Sequence, residues 1–446
     1  MKKTTLMIAI YMIMMVITAN SQMWVTQNVN PVNQGYNFTC LSVVDHNTVL
    51  GIGTLIDEPE GYRFNYISRT IDGGMNWNSN ALDTDWMVSS FQALSADTAW
   101  MSTASIQGIY HGGNHLSSIR KTTDGGQTWI KNTSITFDSV NSYCDFMHFF
   151  NSNEGVTFGD VHNGAWEVYY TSDGGILWNM ADSLPQPLSG EAVHDNTQYV
   201  LGDHIWATST KGRVIYSQDK GHIWKAASVG SFQFPLMLRV AFFGPLEGIA
   251  ARYNYSNNVT DNVYRTHDGG KTWSKISHTG PVYLSYPAGN LFIVPGSNIV
   301  ISNGGGSSYY GSSFSADYGA TWTGIDASKK YGVADGKDWN SLWTGQYSTI
   351  PGIGGIAKWD GIILGMNRIL LEGDLSIYPN PATAAITIST ILRGQLFVMN
   401  LNNQEIMQQK ITQPTTTIDI SNLPKGVYVI KIIGDRCVQM GKVIKQ

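Results

Sequence analysis

An eight-residue motif recurs six times and constrains the fold of this chain more than any other feature. Each copy reads Ser/Thr-x-Asp-x-Gly-x-x-Trp, and we call it the Asp motif. Its Asp residues are Asp72, Asp124, Asp173, Asp219, Asp268 and Asp317. Its Gly residues are Gly74, Gly126, Gly175, Gly221, Gly270 and Gly319. Its Trp residues are Trp77, Trp129, Trp178, Trp224, Trp273 and Trp322. The steps between successive Asp residues are 52, 49, 46, 49 and 49 positions, and such a period indicates a repeat architecture.

The chemistry of the Asp motif predicts a tight turn between two antiparallel strands. An Asp carboxylate accepts hydrogen bonds from backbone amides a few residues later, and Ser or Thr hydroxyls do so more weakly. The Gly two positions after the Asp supplies the positive φ that a tight turn requires. The Trp is expected to bury its ring against the next sheet. We therefore expect the six Asp residues to be structural.

Each repeat divides into four short strands. The first is exemplified by Asn37–Val43 and by Leu238–Phe243, and the second by Thr48–Gly53 and by Gly248–Arg252. The third strand runs into the Asp motif, and the motif Trp begins the fourth. Four antiparallel strands per repeat form one blade of a β-propeller.

The two ends of the repeat region together predict a seventh blade. Lys330–Ala334, Trp339–Thr344 and Gly355–Trp359 are typical of three strands of a blade, and no fourth strand follows them. Met23–Gln27 is typical of a fourth strand with no blade before it, and Trp24 stands where each motif Trp stands. Joining these segments would close the ring, which removes exposed sheet edges.

The first 21 residues predict a secretory signal peptide. Lys2 and Lys3 precede the apolar run Leu6–Ile17, and Ala19–Ser21 is typical of a cleavage site. The apolar run is too short for a permanent membrane anchor. We therefore expect the protein to leave the cytoplasm and to keep no transmembrane segment after cleavage.

We predict a propeller over residues 22–362, a linker over 363–374 and a small β domain over 375–446. The predicted strands of the last domain lie within 377–382, 395–401, 418–423, 425–430 and 441–446. The expected fold is thus all-β, with a seven-bladed β-propeller followed by a small C-terminal β-sandwich.

The Asp motif resembles the Asp-box repeat, also called the bacterial neuraminidase repeat. Its fuller form in Lys121–Trp129 is similar to the photosystem II stability/assembly factor family. Sialidases, sortilin-type receptors and xyloglucanases carry the same box. The resemblance implies a structural turn on the outside of propeller blades, remote from any active centre.

The tail resembles the C-terminal sorting domain of type IX secretion in the Bacteroidetes lineage. The matching features are Tyr378–Pro381, the strand Leu423–Tyr428 and the basic last residues. The sequence departs from that pattern at Asn400–Gln404, where a Gly usually follows the turn. The resemblance implies type IX secretion machinery as a partner and a secreted or outer-membrane cell-surface location, reached through the periplasm.

Charge separates the domains and argues against nucleic acid as a partner. Residues 375–446 hold 7 Lys/Arg and 3 Asp/Glu, a balance of +4, and the signal segment adds +2. Since the whole chain is −5, the remainder is near −11. Nucleic acids and anionic membranes require a positive surface. We also expect no cofactor, and we expect Cys40 and Cys144 to be buried thiols, although a bridge between them is an alternative.

Catalytic and metal-binding chemistry finds little support in the sequence. A sialidase-like site needs an Arg-Ile-Pro segment and three Arg that grip a carboxylate, and no Arg-Ile-Pro occurs. A glycoside hydrolase needs two facing carboxyls, and the candidates near strand ends are Asp160, Glu167, Asp195 and Asp203. His111 and His115 lie in a Gly-rich loop, where their spacing does not place both rings on one face. We therefore expect neither an enzyme nor a metal site.

Strand direction predicts one face of the ring for ligand recognition. Turns between first and second strands share a face with the Asp motifs, because antiparallel strands alternate. The opposite face, which we call the long-loop face, carries the blade-to-blade connections and the longer loops between second and third strands. Long loops on a rigid scaffold often carry function. The aromatic candidates there are Tyr110, Trp166, Tyr253, Tyr255, Tyr309 and Tyr310.

These observations predict an exported, non-catalytic binding or scaffold propeller. Aromatic and amide side chains on the long-loop face favour a glycan or a protein as the ligand. A glycan-acting hydrolase with an unrecognised carboxylate pair is the alternative.

Overall fold

The structure is a computed structural model of the 446-residue chain. It describes the residues in the following ranges: 23–29, 36–57, 62–106, 117–135, 137, 143–230, 236–255, 259–285, 289–306, 309–347, 354–360, 375–390, 393–400, 405–434 and 438–446. The predicted signal segment and linker lie outside these residues, and their boundaries stay predictions. The chain divides into two compact units, of which the first comprises Met1–Val294 and Ile299–Ile363 and the second comprises Leu364–Gln446 together with Pro295–Asn298.

The first unit is a seven-bladed propeller of four-stranded antiparallel blades, as predicted. Blade 1 contains β2 (Asn37–Val43), β3 (Val49–Asp57), β4 (Tyr62–Thr70) and β5 (Asn78–Ala81). Blade 2 contains β6 (Trp86–Ala93), β7 (Ala99–Ser105), β8 (Ser118–Thr122) and β9 (Ile130–Lys131). Blade 3 contains β10 (Cys144–Phe149), β11 (Gly155–His162), β12 (Ala165–Thr171) and β13 (Asn179–Met180). Blade 4 contains β14 (Tyr199–Leu201), β15 (His204–Thr208), β16 (Arg213–Ser217) and β17 (Trp224–Ser228). Blade 5 contains β18 (Leu236–Phe242), β19 (Gly248–Asn254), β20 (Val259–Thr266) and β21 (Ser274–Ile276). Blade 6 contains β22 (Asn290–Ile293), β23 (Val300–Gly305), β24 (Tyr310–Ser315) and β25 (Thr323–Asp326).

Blade 7 is assembled from both ends of the repeat region, which confirms the sequence prediction. Its strands are β26 (Lys330–Asp335), β27 (Trp343–Tyr347), β28 (Gly355–Asp360) and β1 (Met23–Thr26). Strand β1 pairs antiparallel with β28, with Trp24 opposite Trp359. A single parallel bridge between Asn37 and Gly355 joins the sheets of blades 1 and 7.

One strand of blade 7 differs from its prediction. The segment Trp339–Thr344 was expected to be a strand, but Trp339–Ser341 forms a 3₁₀ turn and β27 begins at Trp343. The reason is local capping. The Asp338 carboxylate accepts a hydrogen bond from Asn340 N at 2.8 Å, and this side-chain contact competes with extended backbone.

The hydrophobic core of the propeller lies between neighbouring blades. Phe158 of blade 3 packs with Ile205 of blade 4, and Trp206 of blade 4 packs with Phe242 of blade 5. Strand residues alternate between the two sides of each sheet, so every blade contributes to two such layers.

The second unit contains two antiparallel sheets. One contains β29 (Ser376–Tyr378), β30 (Ala385–Ser389) and β33 (Thr415–Asp419), and the other contains β31 (Gly394–Met399), β32 (Glu405–Ile411), β34 (Gly426–Gly434) and β35 (Val438–Lys445). Ile386 and Ile388 of the first sheet share a buried cluster with Leu396 and Val398 of the second. The unit is therefore the predicted small β-sandwich.

No helix in the described part of the chain has the length and apolar character of a membrane span.

Candidate functional site: the long-loop face

The six Asp motifs form the same hydrogen-bonded turn. In the copy of blade 5, Thr266 Oγ1 donates to Asp268 Oδ1 at 2.8 Å, Gly270 N donates to Thr266 Oγ1 at 2.9 Å, and Thr272 N donates to Asp268 Oδ1 at 2.9 Å. The equivalent bonds recur in the other copies. Each carboxylate therefore serves its own turn, as expected of a structural residue.

The motif Gly has a positive φ in every copy, from 87° at Gly175 to 96° at Gly74. In four copies, at Gly74, Gly126, Gly221 and Gly319, it also packs closely on the preceding blade. A Cβ on Gly126 would lie 2.7 Å from Ile67 Cδ1, and one on Gly319 would lie 2.4 Å from Ile249 Cδ1. Glycine thus suits the conformation in all six copies and the available space in these four.

The motif Trp also packs on the preceding blade, which corrects the expectation of contact with the next one. The Trp77 ring meets Trp343 of blade 7 at 5.7 Å, and the Trp224 ring meets Phe158 of blade 3 at 5.0 Å. The direction follows from the turn, because the motif Gly already approaches that neighbour.

Backbone hydrogen bonds place the Asp motifs on the same face as the first-to-second turns. Gly73 N donates to Asn47 O at 2.9 Å in blade 1, and Gly125 N donates to Asp97 O at 2.9 Å in blade 2. Blades 3, 4 and 5 make equivalent bonds. The long-loop face is therefore the opposite face of the ring.

Two of the six aromatic candidates are buried between blades. Trp166 is 1% exposed and packs between blades 3 and 4, and Tyr253 is 4% exposed between blades 5 and 6. Both occupy strand positions that point into an inter-blade layer, so neither ring is open to a ligand. Tyr110 lies outside the described residues.

The remaining three candidates are half-buried. Tyr309 packs against Tyr283, with ring centroids 5.1 Å apart and planes inclined by 42°. Tyr310 carries Lys330 Nζ 5.7 Å from its ring centroid. Tyr255 packs on Tyr253, whose buried cluster includes Val282 and Leu284, the chain neighbours of Tyr283. Tyr255, Tyr283 and Tyr309 therefore lie around one segment between blades 5 and 6, and we call them the tyrosine cluster, whereas Tyr310 contacts Lys330 of blade 7.

Tyr283 was not among the sequence candidates. It lies in the connection that enters blade 6, and no repeat or strand pattern distinguishes it from other connecting residues. Its pKa is raised by burial and by the negative charge of Asp326, and burial also raises the pKa of Tyr309. Both phenols are therefore neutral at physiological pH and able to donate or accept hydrogen bonds.

A second group of side chains lies on the long-loop side of blade 3. It consists of Asp145, Asp160, Glu167 and Asp195, and we call it the acid cluster. The register of β10 with β11 is irregular between Cys144 and Phe146, which surrounds Asp145. The register of β11 with β12 is irregular between Phe158 and Val161, which surrounds Asp160. Such bulges redirect side chains and are frequent near functional sites.

Backbone contacts bring the acid cluster together. Asp160 N donates to Tyr143 O at 3.0 Å, and Asn196 N donates to Asp145 O at 3.1 Å. Sequence reasoning selected Asp160, Glu167 and Asp195 but missed Asp145, although an acid inside the apolar strand Cys144–Phe149 is itself a signal. Asp203 does not join them, since it is exposed in a first-to-second turn of blade 4.

Burial and mutual repulsion shift Asp145 and Asp160 toward their neutral forms. Burial raises the pKa of Asp160 to about 7, with further contributions from the charges of Asp195 and Glu167. Burial also raises the pKa of Asp145 well above its ordinary value, and the charges of Asp160 and Asp195 and a hydrogen bond with Asp195 add to the shift. Neighbouring carboxyls in a low-dielectric setting resist simultaneous ionisation.

Three arginines of the propeller are paired with acids. Arg69 pairs with Asp97, Arg252 with Asp261 and Arg213 with Glu191. These pairs lie on different blades. Among the described side chains, no set of three His, Cys, Asp or Glu has the spacing of a metal site. Cys40 and Cys144 are both buried free thiols.

Comparison with known families identifies the tail. Residues 376–446 match the family described as secretion system C-terminal sorting domain. The protein therefore carries a sorting signal for export to the cell surface or the medium.

Comparison with individual proteins concerns the propeller. The chain is 28% identical over 261 residues to a sialidase of Paraclostridium sordellii, which covers 56% of this chain and 60% of the length of that sialidase. It is similar in structure to YCF48 bound to D1 peptide, at 14% identity and a TM-score of 0.51, with 78% of this chain and 98% of that chain covered. It is also similar to a family GH74 xyloglucanase from Xanthomonas campestris, at 13% identity and a TM-score of 0.46, with 91% and 66% covered. The similarity to YCF48, at 14% identity, shows the fold alone.

Proposed function

We propose that this protein is an exported, non-catalytic binding propeller that recognises a glycan through the tyrosine cluster. The observation that carries the proposal is the pair of half-buried rings of Tyr283 and Tyr309, 5.1 Å apart on the long-loop face. Tyrosine supplies a large apolar contact area at small entropic cost and a hydroxyl group for hydrogen bonding. This combination suits a sugar, which presents apolar ring faces bordered by hydroxyl groups.

The placement of the cluster supports the same reading. Its members come from a blade-to-blade connection and from loops between second and third strands, which are held by rigid inter-blade packing. Tyr253, although unavailable for contact, supports Tyr255 from below at a centroid distance of 5.2 Å. The Asp motifs, in contrast, have carboxylates occupied by their own turns.

A glycan array with the purified protein tests this proposal, followed by titration of the best glycan against variants. Tyr283→Ala and Tyr309→Ala together should weaken binding roughly tenfold or more, because aromatic hot spots contribute about 2 kcal/mol each. Tyr318→Ala is a matched control, since Tyr318 is 38% exposed in an Asp motif on the opposite face. Loss of binding in the control, with full binding in the double variant, would contradict the proposal and place the site on the face of the Asp motifs.

A glycan-acting hydrolase is the second candidate, and two observations favour it. The pKa of Asp160 is raised to about 7, and a general acid in glycoside hydrolysis requires a raised pKa. The partial similarity to a sialidase also points to glycan chemistry. Release of new reducing ends from a bound glycan, abolished by Asp160→Asn, would establish the hydrolase and exclude the non-catalytic module.

A further inference from the structure

Asp145 is the most deeply buried member of the acid cluster, and one of its oxygens lacks a donor. The residue is 2% exposed, and its Oδ2 atom makes no hydrogen bond to any residue that the structure describes. The carboxyl also contacts Asp195, another acid. Buried polar atoms without a partner are uncommon in native proteins, and a bound ligand is one of the ways in which they are satisfied.

The acid cluster is graded from the surface to this buried oxygen. Asp195 is exposed, Asp160 is half-buried, and Glu167 is 7% exposed. A partly dehydrated group of acids favours a cation with several hydrogen-bond donors, because charge-assisted bonds to carboxylates are the strong ones.

We propose that the acid cluster binds a lysine or arginine side chain presented by a protein partner. Lysine offers three donors and arginine five, each at the end of a flexible stem that reaches below a surface. A metal ion fits less well, since no set of three described side chains has metal-ligand spacing. The negative balance near −11 outside the signal and tail would attract such a partner.

This site is distinct from the tyrosine cluster. The acid cluster lies on blade 3 and the connection to blade 4, whereas the tyrosine cluster lies between blades 5 and 6. The two sites can therefore be tested separately, and failure of one leaves the other standing.

The test is a calorimetric titration of the purified protein with a tetralysine amide that is acetylated at its N-terminus and keeps free side-chain amines. Binding should be measurable at pH 8 and weaker at pH 6, because Asp160 must lose its proton to bind a cation. The charges of Asp195 and Glu167 contribute to the raised pKa of Asp160, and Asp160 in turn raises the pKa of Asp145. Asp160→Asn and Asp195→Asn should each weaken binding by at least about tenfold. Asp203→Asn, an exposed acid on the opposite face, should leave it unchanged.

Three further titrations discriminate the ligand chemistry. A tetralysine peptide with acetylated side chains should not bind, and equal binding would overturn the proposal. Spermidine carries the same ammonium chemistry without a peptide, so tighter binding of spermidine would identify a free polyamine site instead. Calcium binding that Asp160→Asn abolishes would identify a metal site. Equal weakening by Asp203→Asn would show only non-specific attraction to an acidic protein.

Discussion

Trp24 and Trp359 face each other across the strand pair that closes the propeller, with ring centroids 5.1 Å apart and planes inclined by 75°. Trp24 Nε1 also donates to Ser312 Oγ of blade 6 at 2.9 Å. The residue that completes blade 7 thus anchors that blade to its neighbour. Closure of the ring depends on a strand of four residues, Met23–Thr26, near the start of the chain.

Trp24→Ala should destabilise the propeller by about 3–5 kcal/mol, because a fully buried aromatic ring is lost from a packed layer. Trp24 is 3% exposed and packs with Tyr331 and Trp359. The matched control is Val25→Ala, since Val25 is 39% exposed on the same strand. Chemical unfolding of both variants checks the prediction. Similar losses in both would mean that the strand contributes through its backbone alone.

The ring closure could be predicted because the sequence repeats its own pattern. Trp24 stands at the spacing of a motif Trp, and the three strands after the sixth motif lack a fourth. Short-range side-chain effects were harder to foresee. A 3₁₀ turn replaces part of a predicted strand after Asp338, because the Asp338 carboxylate accepts a hydrogen bond from the backbone N–H of Asn340, two residues later.

For the binding candidates, the sequence could predict the face of the ring on which they lie but not which side chains are exposed there. Trp166 and Tyr253 follow the same loop pattern as Tyr255 and Tyr309, yet their positions within the strand register turn them into inter-blade layers. A one-residue change in register exchanges the two sides of a strand. The bulges at Asp145 and Asp160 alter register locally, so the sequence alone does not reveal that these carboxyls converge.

Asp268→Ala should reduce stability and leave glycan binding intact. The lost hydrogen bonds are worth about 1–3 kcal/mol when buried, and the partial exposure of Asp268 favours the lower end. Asp203→Ala, an exposed acid on the same face, should change stability by less than about 0.5 kcal/mol. Melting curves recorded beside glycan titrations provide the check. An unchanged melting temperature with lost binding would assign Asp268 to a ligand site.

Acid should weaken the propeller between about pH 4 and pH 2 through the Asp motifs. Burial alone would raise the pKa of Asp268, but hydrogen bonds from Thr272 and Thr266 lower it to about 2. A carboxyl with a lowered folded-state pKa stabilises the fold above its unfolded-state pKa, and that stability is lost as pH falls. Urea unfolding at pH 5, 3.5 and 2.5 should show the decline, and Asp268→Asn should make it shallower. The same slope in both proteins would contradict the assignment.

Asp160 should act in the opposite direction, near neutral pH. Its folded-state pKa of about 7 lies above the unfolded value, so the folded state binds more protons and stability falls as pH rises from about 4 to 7. Asp160→Asn removes this titration and should flatten the decline, leaving the variant at least as stable as the parent at pH 8. Asp203→Asn provides the control. A variant that loses stability equally at every pH would indicate a purely structural carboxylate.

Removal of residues 375–446 should block export without unfolding the propeller. The tail has its own buried cluster, in which Ile386 and Ile388 pack with Leu396 and Val398, and it matches a sorting domain over 376–446. A unit with its own core folds without its neighbour, so the truncated propeller should melt at the temperature of the full chain. Cell fractionation should find the truncated protein in the periplasm and the full chain at the surface or in the medium. Replacement of Lys410, on the exposed strand β32, with Gln is a control that keeps the tail folded and should leave export in place. Arrival of the truncated protein at the surface would show that the tail is not the export signal.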